Sequence, residues 1–370
     1  MSASKSRPHL VLAGGKTGGH LFPGVAVADE FTRLRPDARV TFVGTEEGIE
    51  ARVIPDSPYE LELVDVSPLK GGSLINRASS LASLPGSGLK ARRLLRRLEP
   101  DIVVSLGGYA AGPVTLVAAL AKIPTALMEQ NSYPGLTNRL LSRFVDHAFL
   151  TFDETADHLG DVPTSTPGNP VRRSLLEMAD SFQYEAPEAG APFHILIIGG
   201  SGGAGSFNRH IPSWLSSMGE LAARLHVRHQ AGNGRADEVL PGYADFSGQA
   251  DVIEFIDDMA AAYRWCDLLI CRAGASTIAE VLNLGIPAIY VPFPHAADDH
   301  QRTNARSVVE AGAGVMIDDS ELDSDRSRNL LTGFMNNPVA LENLASRARE
   351  LGRPEAGIEI AESLLELCGA

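Results

Sequence analysis

Two glycine-rich segments determine the predicted fold. The segment HLVLAGGKTGGHLFPGVAVADEF, residues 9–31, places the glycines of 14–19 between an apolar strand-like run and a helix-like run. About half the chain later, FHILIIGGSGGAGSFN, residues 193–208, repeats this arrangement. Glycines at a strand-to-helix turn let backbone N–H groups approach phosphate oxygens at the positive end of a helix dipole. Two such turns predict two Rossmann-like domains that face one nucleotide-sugar cleft.

Strand-like and helix-like segments alternate along the whole chain, which is typical of parallel sheets covered by helices on both faces. The predicted strands are 9–13, 40–44, 102–105, 125–129 and 147–151 in the first half, and 194–198, 225–230, 252–255, 268–271 and 288–291 in the second. We therefore predict an α/β fold with an N-terminal domain at 1–170 and a C-terminal domain at 171–354. A last helix, 355–370, is predicted to cross back to the first domain. The segment 181–192, rich in proline and carboxylates, indicates a linker, with a hinge there or at 168–172.

Composition restricts the class of protein. With 370 residues, 44% of them hydrophobic, the chain can bury two cores. Its net charge of −14 argues against nucleic acid as a partner. Three cysteines are too few and wrongly spaced for a zinc site or a disulfide framework. The apolar stretch 109–128 is interrupted by glycine, lysine and proline, so it predicts a buried helix and a strand rather than a membrane span. No signal peptide is recognised, which predicts a cytoplasmic protein.

The charge is distributed unevenly. Residues 1–170 carry 17 basic and 18 acidic side chains, whereas residues 171–370 carry 15 basic and 28 acidic ones. One predicted helix of the first half groups five basic residues, namely Lys90, Arg92, Arg93, Arg96 and Arg97. Its apolar residues fall on the other side, and they are Ala91, Leu94, Leu95 and Leu98. An ordinary amphipathic helix with a solvated basic face has the same pattern. The apolar residues that precede it, Leu74, Ile75, Leu81 and Leu84, favour docking on an anionic membrane surface instead.

The glycine loops alone do not specify the nucleotide. Gly15-Lys16-Thr17 imitates the end of a P-loop, but Leu10 stands where that pattern requires its first glycine. Neither loop has the G-x-G-x-x-G pattern and acidic residue of nicotinamide-binding domains. His20 closes the first loop at a helix start, where the dipole disfavours the imidazolium. This position suits either a neutral catalytic base or a histidine that only hydrogen-bonds its loop.

Two further segments of the first half follow predicted strands. They are the turn SLGGY at 105–109 and the segment EQN at 129–131. Because the carboxyl ends of parallel strands meet at one edge of the sheet, their polar groups are predicted to line the same edge as the first loop. A tight turn without a ligand would also account for the two glycines of 107–108.

The segment DLLICRAGASTIAEVLNLGIPAIYVPFPHAADDHQRTNA, residues 267–305, carries the most specific local signal. Thr277 and Glu280 have the spacing of a capping box. A carboxylate at Glu280 could also accept hydrogen bonds from both hydroxyls of a ribose while loop amides hold the diphosphate. The triplet Asp323-Ser324-Asp325 lies in a polar stretch and is interpreted as solvated surface. We therefore predict a nucleotide-sugar site without a metal or another cofactor.

Seven strings occur in order between His9 and Ala311 and together cover most of the chain. They are GGKTGGHLFPGVAVA, LGGYAAGP, MEQNSYPGLTNRLLSRF, GNPVR, IIGGSGGAGSFN, FIDDMAAAYRWCDLLICRAGASTIAE and VPFPHAADDHQRTNA. This set resembles the MurG family of bacterial peptidoglycan N-acetylglucosaminyltransferases. The resemblance implies a GT-B fold and inverting transfer of N-acetylglucosamine from UDP-GlcNAc to the C4 hydroxyl of lipid I, undecaprenyl-diphospho-N-acetylmuramoyl-pentapeptide, giving lipid II. It also implies a peripheral enzyme at the cytoplasmic face of the bacterial inner membrane.

The resemblance also implies residue roles. His20 and Tyr109 are the catalytic candidates near the acceptor. The donor-binding candidates are Thr17, Gly18, Gly19, Asn131, Arg172, Ser201, Ile256, Ala275, Ser276, Thr277, Ile278, Ala279, Glu280 and Gln301. Two positions depart from the family pattern: Lys16 stands where the family has glycine or no residue, and Gly202 stands where glutamine is usual.

Three other functions are compatible with parts of this pattern. Another GT-B transferase would keep the fold and change the acceptor. A UDP-GlcNAc 2-epimerase would need acid and base carboxylates around the sugar and no basic patch facing a lipid. A non-catalytic nucleotide-sugar sensor would tolerate the loss of His20.

Overall fold

The computed structural model describes residues 7–15, 17–64, 74–200 and 202–370, with the side chains of 74–85 and 297 left out of the description. The described residues form two compact units. The first comprises the chain up to Arg173 together with Arg353–Ala370, and the second comprises Ser174–Gly352.

The first unit is built on seven parallel strands. In chain order its elements are β1 His9–Gly14, α1 Gly18–Leu34, β2 Arg39–Gly44, α2 Glu50–Val53, β3 Glu60–Leu63, α3 Leu74–Leu98, β4 Ile102–Gly107, α4 Ala111–Leu120, β5 Thr125–Glu129, α5 Leu136–Leu141, β6 His147–Leu150 and β7 Thr164–Ser165. The sheet order is β3-β2-β1-β4-β5-β6-β7. Strands are added on one side of β1 up to β3 and then on its other side from β4, so the strand order reverses between β1 and β4. In doubly wound sheets, ligands bind outside the carboxyl ends of the strands at this point.

The second unit repeats this plan with six parallel strands. Its elements are α6 Arg173–Ser181, β8 Phe193–Ile198, α7 Gly205–Ser216, β9 Leu225–Gln230, α8 Ala236–Val239, β10 Gln249–Ile253, α9 Met259–Trp265, β11 Leu268–Cys271, α10 Ala275–Leu284, β12 Ala288–Tyr290, α11 His300–Glu310, β13 Val315–Met316, α12 Asp325–Asn336 and α13 Pro338–Leu351. The sheet order is β10-β9-β8-β11-β12-β13, so the strand order reverses between β8 and β11. Short 3₁₀ turns occur at Ile54–Asp56, Asp153–His158, Gly219–Arg224, Leu240–Tyr243, Ala297–Asp299 and Asp319–Glu321.

The last helix, α14 Ala356–Cys368, belongs to the first unit. It packs against α1, and its apolar residues Ile360 and Leu364 are buried in the core that β1 and β4 share with α1. Burial of such side chains stabilises a core by about 1.5–3 kcal/mol each.

Most predicted strands agree with the structure to within one or two residues at either end. The strand predicted at 252–255 lies earlier, at Gln249–Ile253. Three short strands were not predicted, β3, β7 and β13. They lie at or near sheet edges and have few fully buried residues, so they lack a strong apolar pattern. Periodicity is a weak signal in strands of two to four residues.

The amphipathic interpretation of α3 agrees with its described part. Ala91, Leu94, Leu95 and Leu98 are buried, and all five predicted basic residues are exposed. The apolar side chains predicted beside them at 74, 75, 81 and 84 lie outside the described residues. Within the described residues, no helix combines the length and the apolar character that crossing a membrane requires.

The core of the second unit supplies a prediction about pH. His229 on β9 is fully buried beside the Tyr243 hydroxyl, and burial lowers its pKa from 6.5 to about 4. The neutral ring is therefore favoured in the folded state, whereas the unfolded chain takes up a proton below pH 6.5. Stability is expected to fall as the pH drops from 6.5 towards 4, by about 1.4 kcal/mol per pH unit. Urea denaturation at pH 7 and pH 5 should show a smaller loss in His229→Asn than in the wild type. The exposed-site control His210→Asn should keep the wild-type loss.

Candidate active site

The first glycine loop, residues 14–17, runs from β1 into α1 and contacts the loop after β4. Gly14 has φ +113° and lies on the Gly107 carbonyl oxygen, so closely that a Cβ at Gly14 would overlap it. Gly107 itself has φ +91°. Both positions require glycine because the backbones meet directly and because their conformations are unfavourable for other residues. Lys16 lies outside the described residues.

His20 lies in the first turn of α1, above Gly107. A Cβ at Gly107 would lie 3.3 Å from His20 Cδ2 and 3.4 Å from Nε2, so the ring rests on this glycine. His20 Nδ1 is 3.0 Å from the Thr17 hydroxyl oxygen. The Thr17 hydroxyl can accept from an Nδ1–H group or donate to a bare Nδ1, so either tautomer of the neutral ring is compatible with this contact. Thr17 therefore orients the His20 ring.

A buried hydrogen-bond network supports the neighbouring loops. The Glu129 carboxylate, at the end of β5, accepts hydrogen bonds from the Asn131 backbone N–H at 3.1 Å, the Gly135 N–H at 3.0 Å and the Asn138 amide at 2.9 Å. The Asn138 oxygen accepts from the Ser105 hydroxyl at 3.0 Å, and that hydroxyl accepts from the Gly107 N–H at 3.2 Å. One network thus holds the Asn131 loop and the Gly107 turn, on which the His20 ring rests.

Of the other candidates of the first unit, only Arg172 lies far from these loops in the sequence. Asn131 also donates from its side chain to Glu129 at 3.3 Å. Tyr109 follows the Gly107–Gly108 turn and is 39% exposed, so its hydroxyl can meet a ligand. The Arg172 guanidinium stacks over the Phe22 ring of α1 at 4.8 Å. Gly18 packs on the same ring, because a Cβ there would lie 3.0 Å from a Phe22 ring carbon.

The glycine loop of the second unit, residues 199–204, contacts the backbone of the loop after β9, as the first glycine loop contacts the loop after β4. Gly203 lies against the Ala231 carbonyl oxygen after β9, and Asn208 of α7 donates to that same oxygen at 2.9 Å. Ser201 lies outside the described residues, and Gly202 is exposed. The loop leads into the N-terminus of α7, whose first amides are suited to bind an anion.

Arg272 connects three segments around the donor candidates. Its side chain is 9% exposed and donates to the Val291 and Pro292 carbonyls at 3.1 and 3.2 Å, and to the Ser206 hydroxyl at 2.6 Å. It also pairs with Asp319 at 2.6 Å. Burial lowers the pKa of the guanidinium, and Asp319 opposes this effect. The arginine therefore ties the end of β12 to the start of α7.

The capping box predicted at Thr277 and Glu280 is wrong. α10 begins at Ala275, its N-cap is Gly274, and no side chain caps it, because the chain enters the helix earlier than the capping-box spacing implies. Instead, the Glu280 carboxylate accepts a hydrogen bond from the buried Tyr263 hydroxyl at 2.8 Å. The half-buried carboxylate is thereby oriented by Tyr263.

The remaining donor candidates lie on α10, on α11 and in the loop after β10. Ile256 follows β10 and is 7% exposed. The residues 275–280 form the first turns of α10, with Ser276 and Thr277 half-buried and Ala275, Ile278 and Ala279 buried. Gln301 on α11 accepts from the Phe293 N–H at 2.9 Å, which fixes the loop after β12.

Three other predictions can be compared with the structure. All three cysteines are free and buried, and burial raises the pKa of the Cys271 thiol next to Arg272. Asp323 and Asp325 are exposed, which agrees with the interpretation of the triplet as solvated surface; they pair with Arg328, and Ser324 caps α12. Within the described residues, no group of three histidine, cysteine or acidic side chains could hold a metal ion.

Some supporting residues were not predicted as parts of the site. Asn138 and Tyr263 lie within helices and carry no local motif, so only their three-dimensional neighbours reveal them. A polar residue inside an otherwise apolar helix face is the signal that could have indicated them.

Comparisons with known proteins agree with this geometry. Residues 10–150 match the glycosyltransferase family 28 N-terminal domain, and residues 194–357 match the family 28 C-terminal domain. A protein of Myxococcus xanthus is 43% identical over 97% of this chain and 92% of its own length. One of Anaeromyxobacter sp. Fw109-5 is 45% identical over 97% and 93%. Both are named UDP-N-acetylglucosamine--N-acetylmuramyl-(pentapeptide) pyrophosphoryl-undecaprenol N-acetylglucosamine transferase.

The chain belongs to the MurG family. The crystal structure of Acinetobacter baumannii MurG matches with a TM-score of 0.76 at 30% identity, over 97% of this chain and 99% of that one. The fold is the GT-B fold of these transferases. A UDP-GlcNAc 2-epimerase from Neisseria meningitidis also matches, with a TM-score of 0.66 at 15% identity over 97% and 100% of the two chains, a likeness that shows the fold alone.

Glu280 supplies a prediction for a MurG-family donor site. Hydrogen bonds to a charged group contribute about 1.5–3 kcal/mol, so Glu280→Ala is expected to weaken UDP-GlcNAc binding by about one to two orders of magnitude. The variant also leaves the buried Tyr263 hydroxyl without this acceptor. Isothermal titration of UDP-GlcNAc and urea denaturation measure the two effects separately.

Two variants separate these effects. The double variant Tyr263→Phe, Glu280→Ala should regain stability relative to Glu280→Ala, yet it should still bind UDP-GlcNAc weakly. The exposed-site control Glu310→Ala should change neither quantity. Wild-type affinity in Glu280→Ala would contradict the ribose contact.

Proposed function

We propose that this chain transfers N-acetylglucosamine from UDP-GlcNAc to the C4 hydroxyl of lipid I, with inversion to a β-1,4 bond, and so forms lipid II in peptidoglycan synthesis. The observation that carries this proposal is the similarity over 97% of the chain to curated transferases named for this reaction. The two units contribute different groups to it, and each group can be tested.

We assign donor binding chiefly to the second unit. Glu280, oriented by Tyr263, would accept the ribose hydroxyls, and Gln301 and Ile256 would contact other parts of the donor. The N-terminal amides of α7 and α10 would face the diphosphate. Because negative charge develops on UDP as it leaves, these fixed amide dipoles would stabilise the transition state more than the bound substrate.

We assign the acceptor reaction to the first unit. His20 Nε2 would remove the proton from the C4 hydroxyl, and the C4 oxygen would attack C1 of N-acetylglucosamine on the face opposite to UDP. The C1–O bond then breaks, and its electron pair leaves on the β-phosphate of UDP. Tyr109 would position the acceptor. The observations supporting His20 as the base are its place in the first turn of α1, where the ring lies over Gly107, and the Thr17 contact that orients the ring.

The test of the whole assignment uses the full-length protein with UDP-GlcNAc and a lipid I analogue. UDP release and disaccharide formation should occur together and at equal rates. Conversion of UDP-GlcNAc to UDP-N-acetylmannosamine without the lipid I analogue and without net UDP release would indicate the 2-epimerase alternative. Binding of UDP-GlcNAc without turnover would indicate a sensor, and transfer to a different acceptor would indicate another transferase.

His20 supplies a kinetic prediction. General base catalysis contributes about 10²- to 10⁴-fold, so His20→Ala should lower kcat by that order and leave UDP binding nearly unchanged. Thr17→Val keeps the imidazole but removes the hydroxyl that orients the ring, so kcat should fall less. Near-normal turnover in His20→Ala would remove His20 from the mechanism.

We also propose that the first unit docks on the cytoplasmic, anionic face of the membrane. On α3, Arg92, Arg93 and Arg96 are exposed, whereas Arg97 pairs with Glu62 at 2.7 Å, so its charge is partly neutralised. Leu136, Leu140 and Phe144 are 54%, 56% and 50% exposed at a spacing of four residues, on α5 and just after it. Both α3 and α5 pack against α4.

Vesicle binding tests this surface. Each basic residue near an anionic leaflet contributes about 1 kcal/mol, so the full-length protein should bind anionic vesicles, less strongly as salt rises. Replacing Arg92, Arg93, Arg96 and Arg97 by Gln should abolish binding without changing UDP-GlcNAc affinity. The matched control replaces four exposed arginines of the second unit, Arg209, Arg264, Arg306 and Arg347, and should bind as the wild type does. Equal binding to neutral and anionic vesicles would contradict the proposal.

A further inference from the structure

A buried carboxylate lies beside the first glycine loop. Glu50, the first residue of α2, is only 1% exposed. Its Oε1 accepts a hydrogen bond from the Thr45 backbone N–H at 2.8 Å and lies 3.4 Å from the Thr45 hydroxyl. Burial of a carboxylate is costly unless fixed donors surround it. The groups that the Glu50 carboxylate contacts should therefore explain why it is buried.

Three glycines enclose this carboxylate. A Cβ added at Gly44 or at Gly48 would overlap Glu50 side-chain atoms, and one added at Gly15 would lie 2.8 Å from Glu50 Oε2. Gly44 ends β2 and Gly48 precedes α2, so these two belong to the same loop as Glu50. Gly15, by contrast, belongs to the catalytic glycine loop after β1. The carboxylate thus joins the loops of two neighbouring strands.

The opposite side of the same loop is also fixed. Gly14 lies on the Gly107 carbonyl, and Gly108 approaches Gly15, where a Cβ at Gly108 would lie 3.7 Å from the Gly15 oxygen. The sheet order β2-β1-β4 explains this arrangement, because the loops after these strands stand side by side. Gly14 and Gly15 are therefore held between the Gly107 turn and the Glu50 carboxylate, two residues before Thr17.

We propose that Glu50 is a positioning residue of the transferase, whose buried carboxylate fixes the first glycine loop at Gly15 and thereby sets the geometry of Thr17 and His20. The inference rests on the proposed function of His20. It assigns no contact between Glu50 and a substrate.

The structure provides a matched control in the same unit. The Asp146 carboxylate accepts from the Thr125 backbone N–H at 2.8 Å and from the Thr125 hydroxyl at 3.1 Å, which is nearly the same contact as that of Glu50 with Thr45. Asp146 lies just before β6 and Thr125 begins β5, so this contact lies at the opposite edge of the sheet from the glycine loops. Asp146 is exposed, whereas Glu50 is buried, so Asp146→Asn controls for the loss of a carboxylate contact with a threonine at a site away from His20.

The kinetic test compares Glu50→Gln with Asp146→Asn in the full-length protein. Loss of a charged hydrogen-bond acceptor typically changes an equilibrium by about 10- to 100-fold. We expect Glu50→Gln to lower kcat by roughly this factor, with UDP-GlcNAc affinity within about twofold of wild type. Asp146→Asn should keep the wild-type kcat. Equal kcat values in Glu50→Gln and wild type, or equal losses in the two variants, would overturn the proposal.

A second measurement does not depend on activity. Amide hydrogen exchange of residues 14–21 should accelerate at least about tenfold in Glu50→Gln, because the loop opens locally when its contact is weakened. Exchange of 125–129 should stay unchanged, and Asp146→Asn should leave 14–21 protected. Unchanged exchange at 14–21 in Glu50→Gln would refute the positioning role even if the wild type failed to transfer N-acetylglucosamine to lipid I. That failure would refute the proposed function alone.

Gly48→Ala extends the test to a variant that keeps the carboxylate. The added methyl group would displace the Glu50 side chain without removing its charge. We expect the same faster exchange at 14–21, and non-additive effects on kcat when Gly48→Ala is combined with Glu50→Gln. Additive effects would mean that the two residues act separately, which contradicts the proposal.

Discussion

Direct contact between backbones at the carboxyl ends of neighbouring strands is the constraint on which both units depend. Gly14 lies on the Gly107 carbonyl in the first unit, and Gly203 lies on the Ala231 carbonyl in the second. A side chain at either position would separate the two loops. In the first unit, this contact brings the N-terminus of α1, with His20, next to the Gly107 turn. The glycines thus serve the geometry of neighbouring residues as much as their own flexibility.

Buried polar groups then fix what the glycines bring together. Glu129 accepts hydrogen bonds from the loop that follows it and from Asn138 of α5, and Arg272 donates to two carbonyls and a hydroxyl. Each is nearly inaccessible to solvent, so any loop movement would leave a buried charge poorly satisfied at considerable cost. Such networks favour one loop conformation over its alternatives. The rigid positions of Asn131 and of the segment after β12 follow from them.

Local sequence patterns predicted the elements that have a regular apolar periodicity. They failed for side chains whose contact partner lies far away in the sequence. Apolar periodicity located ten of the strands, and the buried side of α3 was predicted from its spacing alone. Thr277 and Glu280 show the opposite case. Their spacing matched a capping box, yet the Tyr263 hydroxyl, 17 residues earlier, decides where the carboxylate points. Glu50 carries no motif, because its role depends on a glycine 35 residues away.

The charge distribution imposes a further requirement on a donor that is itself an anion. Residues 171–370 carry 13 more acidic than basic side chains, so the long-range field of this half repels a nucleotide diphosphate. Binding must therefore come from short-range donors, which the amide N–H groups at the starts of α7 and α10 can provide. Salt screens long-range repulsion but hardly affects hydrogen bonds in a partly buried site. Donor affinity should thus rise slightly with ionic strength, whereas docking of α3 on anionic lipid weakens. The two responses to salt differ because amide N–H groups bind the donor at short range, whereas arginine side chains attract anionic lipid through long-range charge.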